Sequence, residues 1–217
     1  MEGLFNIGND VVKKTFTMAY ASSVYLLIVN RIAKGYSAKE LSFLLGQDDG
    51  FVDELQRLKR STNDLELLVA LNNIFREGNL VIGEYDDEQR YQFEQRIWKE
   101  TFGTCYRMGY YLNEVESIVF FHLIDHIKYD ESQEKFIEER ILIEVAIQDL
   151  IDADYFKRLR TPLELYNRIQ LWLERSIRPM SLKLVLDNYW GRKGKAPLKR
   201  TRQRSFGYRF QQHKSDS

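Results

Sequence analysis

Apolar positions recur at helical spacing twice between residues 37 and 58, with a glycine between the two runs. Leu41, Leu44 and Leu45 share one face of a first short helix, and Val52, Leu55 and Leu58 share one face of a second. Ser37 and Glu40 have the spacing of a capping box, in which each side chain satisfies a free backbone donor at the helix start. Gly46 suits the left-handed conformation that ends a helix, and Asp48 or Asp49 suits the cap of the next. The pattern predicts helix, turn, helix. A longer apolar-periodic segment precedes it over about 9–33. Another helix follows, opened by Asn63 with Glu66 and carrying Leu65, Leu68, Val69, Leu71 and Phe75.

Beyond residue 86, periodic segments separated by polar turns predict helices over 87–101, 112–129, 130–154, 161–176 and 179–189. Thr161-Pro162 and Pro179 mark two of the starts, because proline in the first turn gives up a donor that has no intrahelical partner. Candidate core or interface residues include Trp98, Phe120, Phe121, Ile124, Ile143, Ile147, Leu150, Ile169, Trp172 and Leu186. This apolar supply also permits a homo-oligomer. With three prolines in 217 residues and abundant Leu, Glu, Lys and Arg, the fold class expected is all-α. One short β-like run, 79–85, stands between the halves. The expected organisation is a helical domain with the helix-turn-helix over 1–78, a helical bundle domain over 79–190 and a basic flexible tail over 191–217.

Arg31, Gly35, Ser37, Leu41, Gly46, Val52, Leu55 and Gln56 match an arginine-rich first helix, Gly-x-Ser-x-x-x-Leu, a glycine after the second helix, and spaced Val and Leu in the third. On these residues the stretch 20–77 resembles the lambda-repressor-like (Cro/repressor, XRE) helix-turn-helix family. The resemblance covers roughly a quarter of the chain. It implies a four-helix unit whose third helix lies in the major groove of duplex DNA, with amides and basic side chains on phosphates. The implied contacts are Lys39, Gln47, Gln56, Arg57, Lys59 and Arg60. The chain departs from the family at Asp48, Asp49, Asp53 and Glu54, four carboxylates where DNA would lie. Each like-charge contact there costs about 1 kcal/mol even at the dielectric of water. The other reading of the segment is a unit of the same shape used for protein contact.

The charges sum to zero, 32 of each sign, but they are not mixed evenly. Residues 191–217 hold nine Lys or Arg and one acid, Asp216, so the other 190 residues carry a net −8. Such asymmetry marks a basic arm on an acidic body. Lys199, Arg200, Arg202, Arg204 and Arg209 are placed to neutralise phosphates, and Phe206, Tyr208 and Phe210, at period two, to stack on bases or to pack on protein. An acidic protein partner, or an acidic surface of the same chain, would satisfy the same cations.

Cys105 is the sole cysteine, which excludes an intrachain disulfide and makes a reducing compartment the default. No run approaches the roughly 18–20 apolar residues that cross a bilayer, and the start has no basic n-region, so a cytoplasmic protein without membrane insertion is expected. His122 and His126, four apart on a predicted helix with Asp125 between them, have the spacing of two zinc ligands. A surface pair is the favoured reading, and no metal or other cofactor is expected. The chain has no Gly-x-Gly-x-x-Gly, Walker A loop or Gly-x-Ser-x-Gly elbow, and an enzyme is not expected. These observations lead to a DNA-binding regulator of transcription that uses the helix-turn-helix and the basic arm. The alternative is a helical adaptor or structural assembly protein whose helix-turn-helix shape docks protein and whose tail binds an acidic partner.

Overall fold

Period two governs three stretches where helices are expected. Over residues 90–100, Phe93, Gln95 and Ile97 are buried while Gln92 and Arg96 on the other face are exposed. Phe93 and Ile97 are four apart, a spacing that helix and strand share. Their flanking Tyr91 and Trp98, and the Ile-Val-Phe-Phe run from Ile118, are residues that fit a pleated, half-buried surface. The computed structural model describes residues 10–60, 65–76, 88–112, 117–126, 134–203 and 207–213, and it is mixed α/β. The all-α expectation is therefore corrected. Segments 87–101 and 112–129 carry strands because cross-strand pairing outweighs the helix propensity of their Glu, Gln and Arg. The β-like run 79–85 lies outside the described residues.

The chain divides into two compact units, one of Met1–Gly35 with Asp53–Tyr129, the other of Tyr36–Val52 with Asp130–Ser217. In the first, β1 (Asp10–Thr17), β2 (Arg90–Glu100), β3 (Gly103–Tyr111) and β4 (Ser117–His126) form an antiparallel sheet in the order β1-β2-β3-β4. The helix expected from residue 9 thus begins later, as α1 (Met18–Ala33), where the Thr17 hydroxyl caps the Tyr20 amide. Ala21, Val24 and Ile28 of α1 pack with Phe16, Leu58, Phe93, Ile97, Tyr106, Met108 and Phe121. Phe16 and Phe93 stack at 4.3 Å. The β3–β4 register shifts between Met108 and Gly109, which lets the adjacent Phe120 and Phe121 both meet Tyr25. At the end of α1, buried Arg31 donates to Asp125 at 2.7 Å and to the Tyr106 hydroxyl at 3.2 Å. This unit also holds α4 (Leu65–Phe75).

The second unit contains α2 (Ala38–Leu44), α5 (Glu134–Asp152), α6 (Pro162–Leu173) and α7 (Pro179–Leu186). Capping boxes start α2 (Ser37 with Glu40) and α6 (Thr161 with Glu164). The buried Glu40 carboxylate does more than cap. It accepts from the Ser37 amide at 2.8 Å, from two nitrogens of Arg178 at 3.1 Å each, and from the Met180 amide in the first turn of α7 at 3.4 Å. Between the two units' segments runs α3 (Phe51–Gln56), so helix, turn, helix is observed as read. The sequence reading divides the chain at 78 and 190. In the fold, by contrast, α1 and α2 belong to different units.

The basic tail is also corrected, because 191–213 is not a flexible extension. β5 (Leu198–Gln203) and β6 (Gly207–Gln212) pair as an antiparallel hairpin, with Leu198 and Phe210 buried. Arg160 exchanges two backbone hydrogen bonds with Phe210, at 2.9 and 2.8 Å, adding a third short strand partner. Apolar residues at alternate positions anchor a stretch whose charge alone argues against folding.

Candidate functional site

Gly46 ends α2 with φ near +67°, a conformation that costs glycine little. Its carbonyl accepts the Tyr208 amide of β6 at 2.5 Å. A Cβ at residue 46 would lie 2.8 Å from the Tyr208 carbonyl oxygen, and one at Gly207 2.3 Å from the Gly46 oxygen. Two glycines therefore let backbone meet backbone, and the hairpin lies directly against the turn after α2. The buried Ser42 hydroxyl holds the turn from the other side, accepting the Val52 amide at 3.0 Å.

This contact brings the acidic turn onto the basic hairpin. Asp48 accepts from the Tyr208 hydroxyl and, at 3.1 Å, from Arg202. The Tyr208 hydrogen bond holds the Asp48 carboxyl below its usual range, with Arg202 adding to the effect against a smaller opposing push from burial. The same bond to Asp48, then burial, pushes the Tyr208 phenol up. Asp49 pairs with Lys39 at 3.4 Å and with Lys183 of α7 at 3.6 Å. Lys183 also reaches Asp187 at 3.0 Å, and Asp187 accepts the Trp190 indole N–H at 3.0 Å. The Arg200 guanidinium lies between two rings, 3.8 Å from the centroid of Trp190 and 4.1 Å from that of Tyr208. Asp48, Asp49, Lys183, Asp187, Trp190, Arg200 and Tyr208 line a cleft of about 330 Å³ with Phe43, Pro162 and Phe210 as its apolar wall. Its carboxylates are each held by a cation or N–H donor and its phenol is kept protonated.

The predicted DNA contacts are dispersed or engaged. Gln56 is fully buried and both atoms of its amide lack a partner. Arg57 is tied to Asp53 at 2.7 Å, Arg60 to Glu54, Lys39 to Asp49, and Arg202 to Asp48. Gln47 lines the cleft. Lys59 is exposed, and Lys199 and Arg209 are half-buried on the hairpin. Arg204 and Phe206 lie outside the described residues. Compared with family models, curated proteins and solved structures, this chain matches none. Lys183, Asp187 and Trp190 are polar or aromatic cleft residues that the sequence reading misses. The four-residue spacing of Lys183 and Asp187 on a helix is the one signal that could have found such a pair.

Away from the cleft, His122 and His126 sit on strand β4 and not on a helix, so four residues separate them by about 13 Å along the strand. Each ring meets an aromatic neighbour instead, Trp98 at 5.7 Å and Phe102 at 6.1 Å. Among the described residues no group of three His, Cys, Asp or Glu is placed to hold a metal ion. Cys105 is buried, and that burial pushes its thiol up, away from the reactive thiolate. Among the described residues no helix is long and apolar enough to cross a membrane.

Proposed function

We propose that the protein is a non-catalytic adaptor or structural assembly protein. In this reading the helix-turn-helix-shaped segment clasps the C-terminal hairpin of its own chain, and the basic side chains left outside that clasp receive an acidic protein partner. The observation that carries the reading is the Asp48–Asp49 turn. It engages Arg202, Tyr208 and Lys183, so the acids that repel DNA have an internal use. Arg192 and Lys195 are exposed and Lys199 is half-exposed, three cations within eight residues that an acidic segment can reach.

Regulation of transcription through duplex DNA is the second reading. Exposed Lys59 and the half-exposed Gln47 favour it, at positions the repressor resemblance assigns to DNA. The two separate by titrating the full chain with a labelled glutamate-rich peptide and with a pool of random duplexes. The adaptor reading expects peptide binding that falls at least about tenfold in Lys195→Glu/Lys199→Glu, with no duplex enriched. Enrichment of a duplex sequence that depends on Gln47 and Lys59 would replace it with the regulator.

A further inference from the structure

The first unit has a surface of a different kind. Alternation along β1 to β4 gives α1 one face of the sheet, and on the other face Lys13, Arg96, Arg107 and His122 are exposed to solvent. The register aligns three of them. Arg96 is opposite Arg107, and Arg107 is opposite His122, so three neighbouring strands present two guanidinium groups and an imidazole in a row, with about 4.8 Å between strands. Like charges directly opposite one another weaken a sheet. Glu94 answers Arg96 at 2.6 Å and Lys13 at 3.2 Å, whereas Arg107 pairs with no carboxylate among the described residues. The next pairs along the strands set Trp98 opposite Cys105 and Cys105 opposite Ile124, so an indole flanks the row, with its ring beside His122. At the β2–β3 turn Phe102 is 48 % exposed beside His126.

We propose that this open face binds single-stranded nucleic acid, its phosphates crossing the strands over Arg96, Arg107 and His122 and its bases stacking on Trp98. A polyanion lying on the row turns the repulsion between its members into attraction by counterion release. Aromatic rings beside cations are the elements that bind unpaired strands without regard to sequence, because every base has a face to stack. A duplex keeps those faces inside its own stack, so single strands fit this surface and duplexes do not. The assignment is independent of the adaptor reading, which rests on the other unit.

The test is fluorescence anisotropy of the full chain with a labelled twelve-nucleotide RNA, the DNA of the same sequence, and the matching duplex, each across a salt series. Arg107 is exposed, so Arg107→Glu leaves the core intact, and its fold is checked by circular dichroism. The expected result is tighter binding of a single strand than of duplex, at least about fivefold lost in Arg107→Glu, with the salt slope reduced by about 0.7 for the contact removed. Quenching of tryptophan fluorescence that disappears in Trp98→Leu is expected alongside it. Lys195→Glu/Lys199→Glu keeps this binding, which separates it from failure of the adaptor reading. Whichever single strand binds more tightly identifies the sugar preferred. Equal binding by Arg107→Glu and the unaltered chain, or a preference for duplex, overturns the proposal.

Discussion

In each unit an ion pair has one deeply buried side chain and a partner nearer to water, and the two arrangements are of opposite sign. In the first unit the Arg31 side chain is 1 % exposed and Asp125 24 %; in the second, Glu40 is 1 % exposed and Arg178 24 %. Both buried charges stand at the helix end that favours them. Arg31 is in the last turn of α1, where unpaired carbonyls are negative, while Glu40 is in the first turn of α2 and also accepts an amide of the first turn of α7. The difference lies in what else each holds. Arg31 serves side chains, whereas Glu40 satisfies backbone donors that no apolar replacement can satisfy. A buried carboxylate can therefore join two helix starts, a task for which a guanidinium, having only donors, is unsuited.

Three experiments sharpen that contrast. The largest effect belongs to Glu40→Ala, which strands Arg178 and the Ser37 and Met180 amides and is expected to lower unfolding free energy by about 3–5 kcal/mol in a urea titration. Next is acid. Burial pushes the Glu94 carboxyl up, but hydrogen bonds from Tyr111, Arg96 and Lys13 outweigh it and bring it from 4.5 down to about 2. A depressed carboxylate stabilises the fold above its unfolded value and loses that contribution as pH falls toward the folded one, here from 4.5 to about 2. The contribution is at most about 3 kcal/mol. Glu94→Gln should flatten that limb in the first unit, followed by Trp98 fluorescence, without moving the signals of Trp172 and Trp190 in the second. The smallest effect is expected for Arg31→Met with Asp125→Leu, a loss under about 1 kcal/mol, since an ion pair replaced by apolar side chains leaves little unpaired. A loss as large as that of Glu40→Ala would break the comparison.

The local punctuation of this chain was legible. Ser37 with Glu40, Gly46, Thr161-Pro162 and Pro179 announce helix ends whose chemistry lies within four residues, and each is found where it is read. The sheet was not, because Phe93 and Ile97 satisfy either period and their strand partners are distant in sequence. The hairpin was concealed by its charge, although the alternation of Tyr208 and Phe210 was visible and an edge strand is one structure it suits. The cleft needed Asp48 and Tyr208 together, 160 residues apart, which no local pattern encodes. The family resemblance identified α2 and α3 as elements but not their surroundings, since Gln56 is buried and Arg31 is paired with Asp125 on β4.

The meeting of Gly46 with Gly207 and Tyr208 also sets an order of events in time. A ribosome delivers the turn after α2 long before the hairpin that covers it, and the second segment of the first unit, Asp53–Tyr129, is made in between. Until α6 and α7 emerge, Leu41, Phe43 and Leu44 have no core to enter, so the nascent chain carries an uncovered apolar segment. The turn after α2 is therefore covered only once β6 has been made, after α6 and α7 are already available to α2.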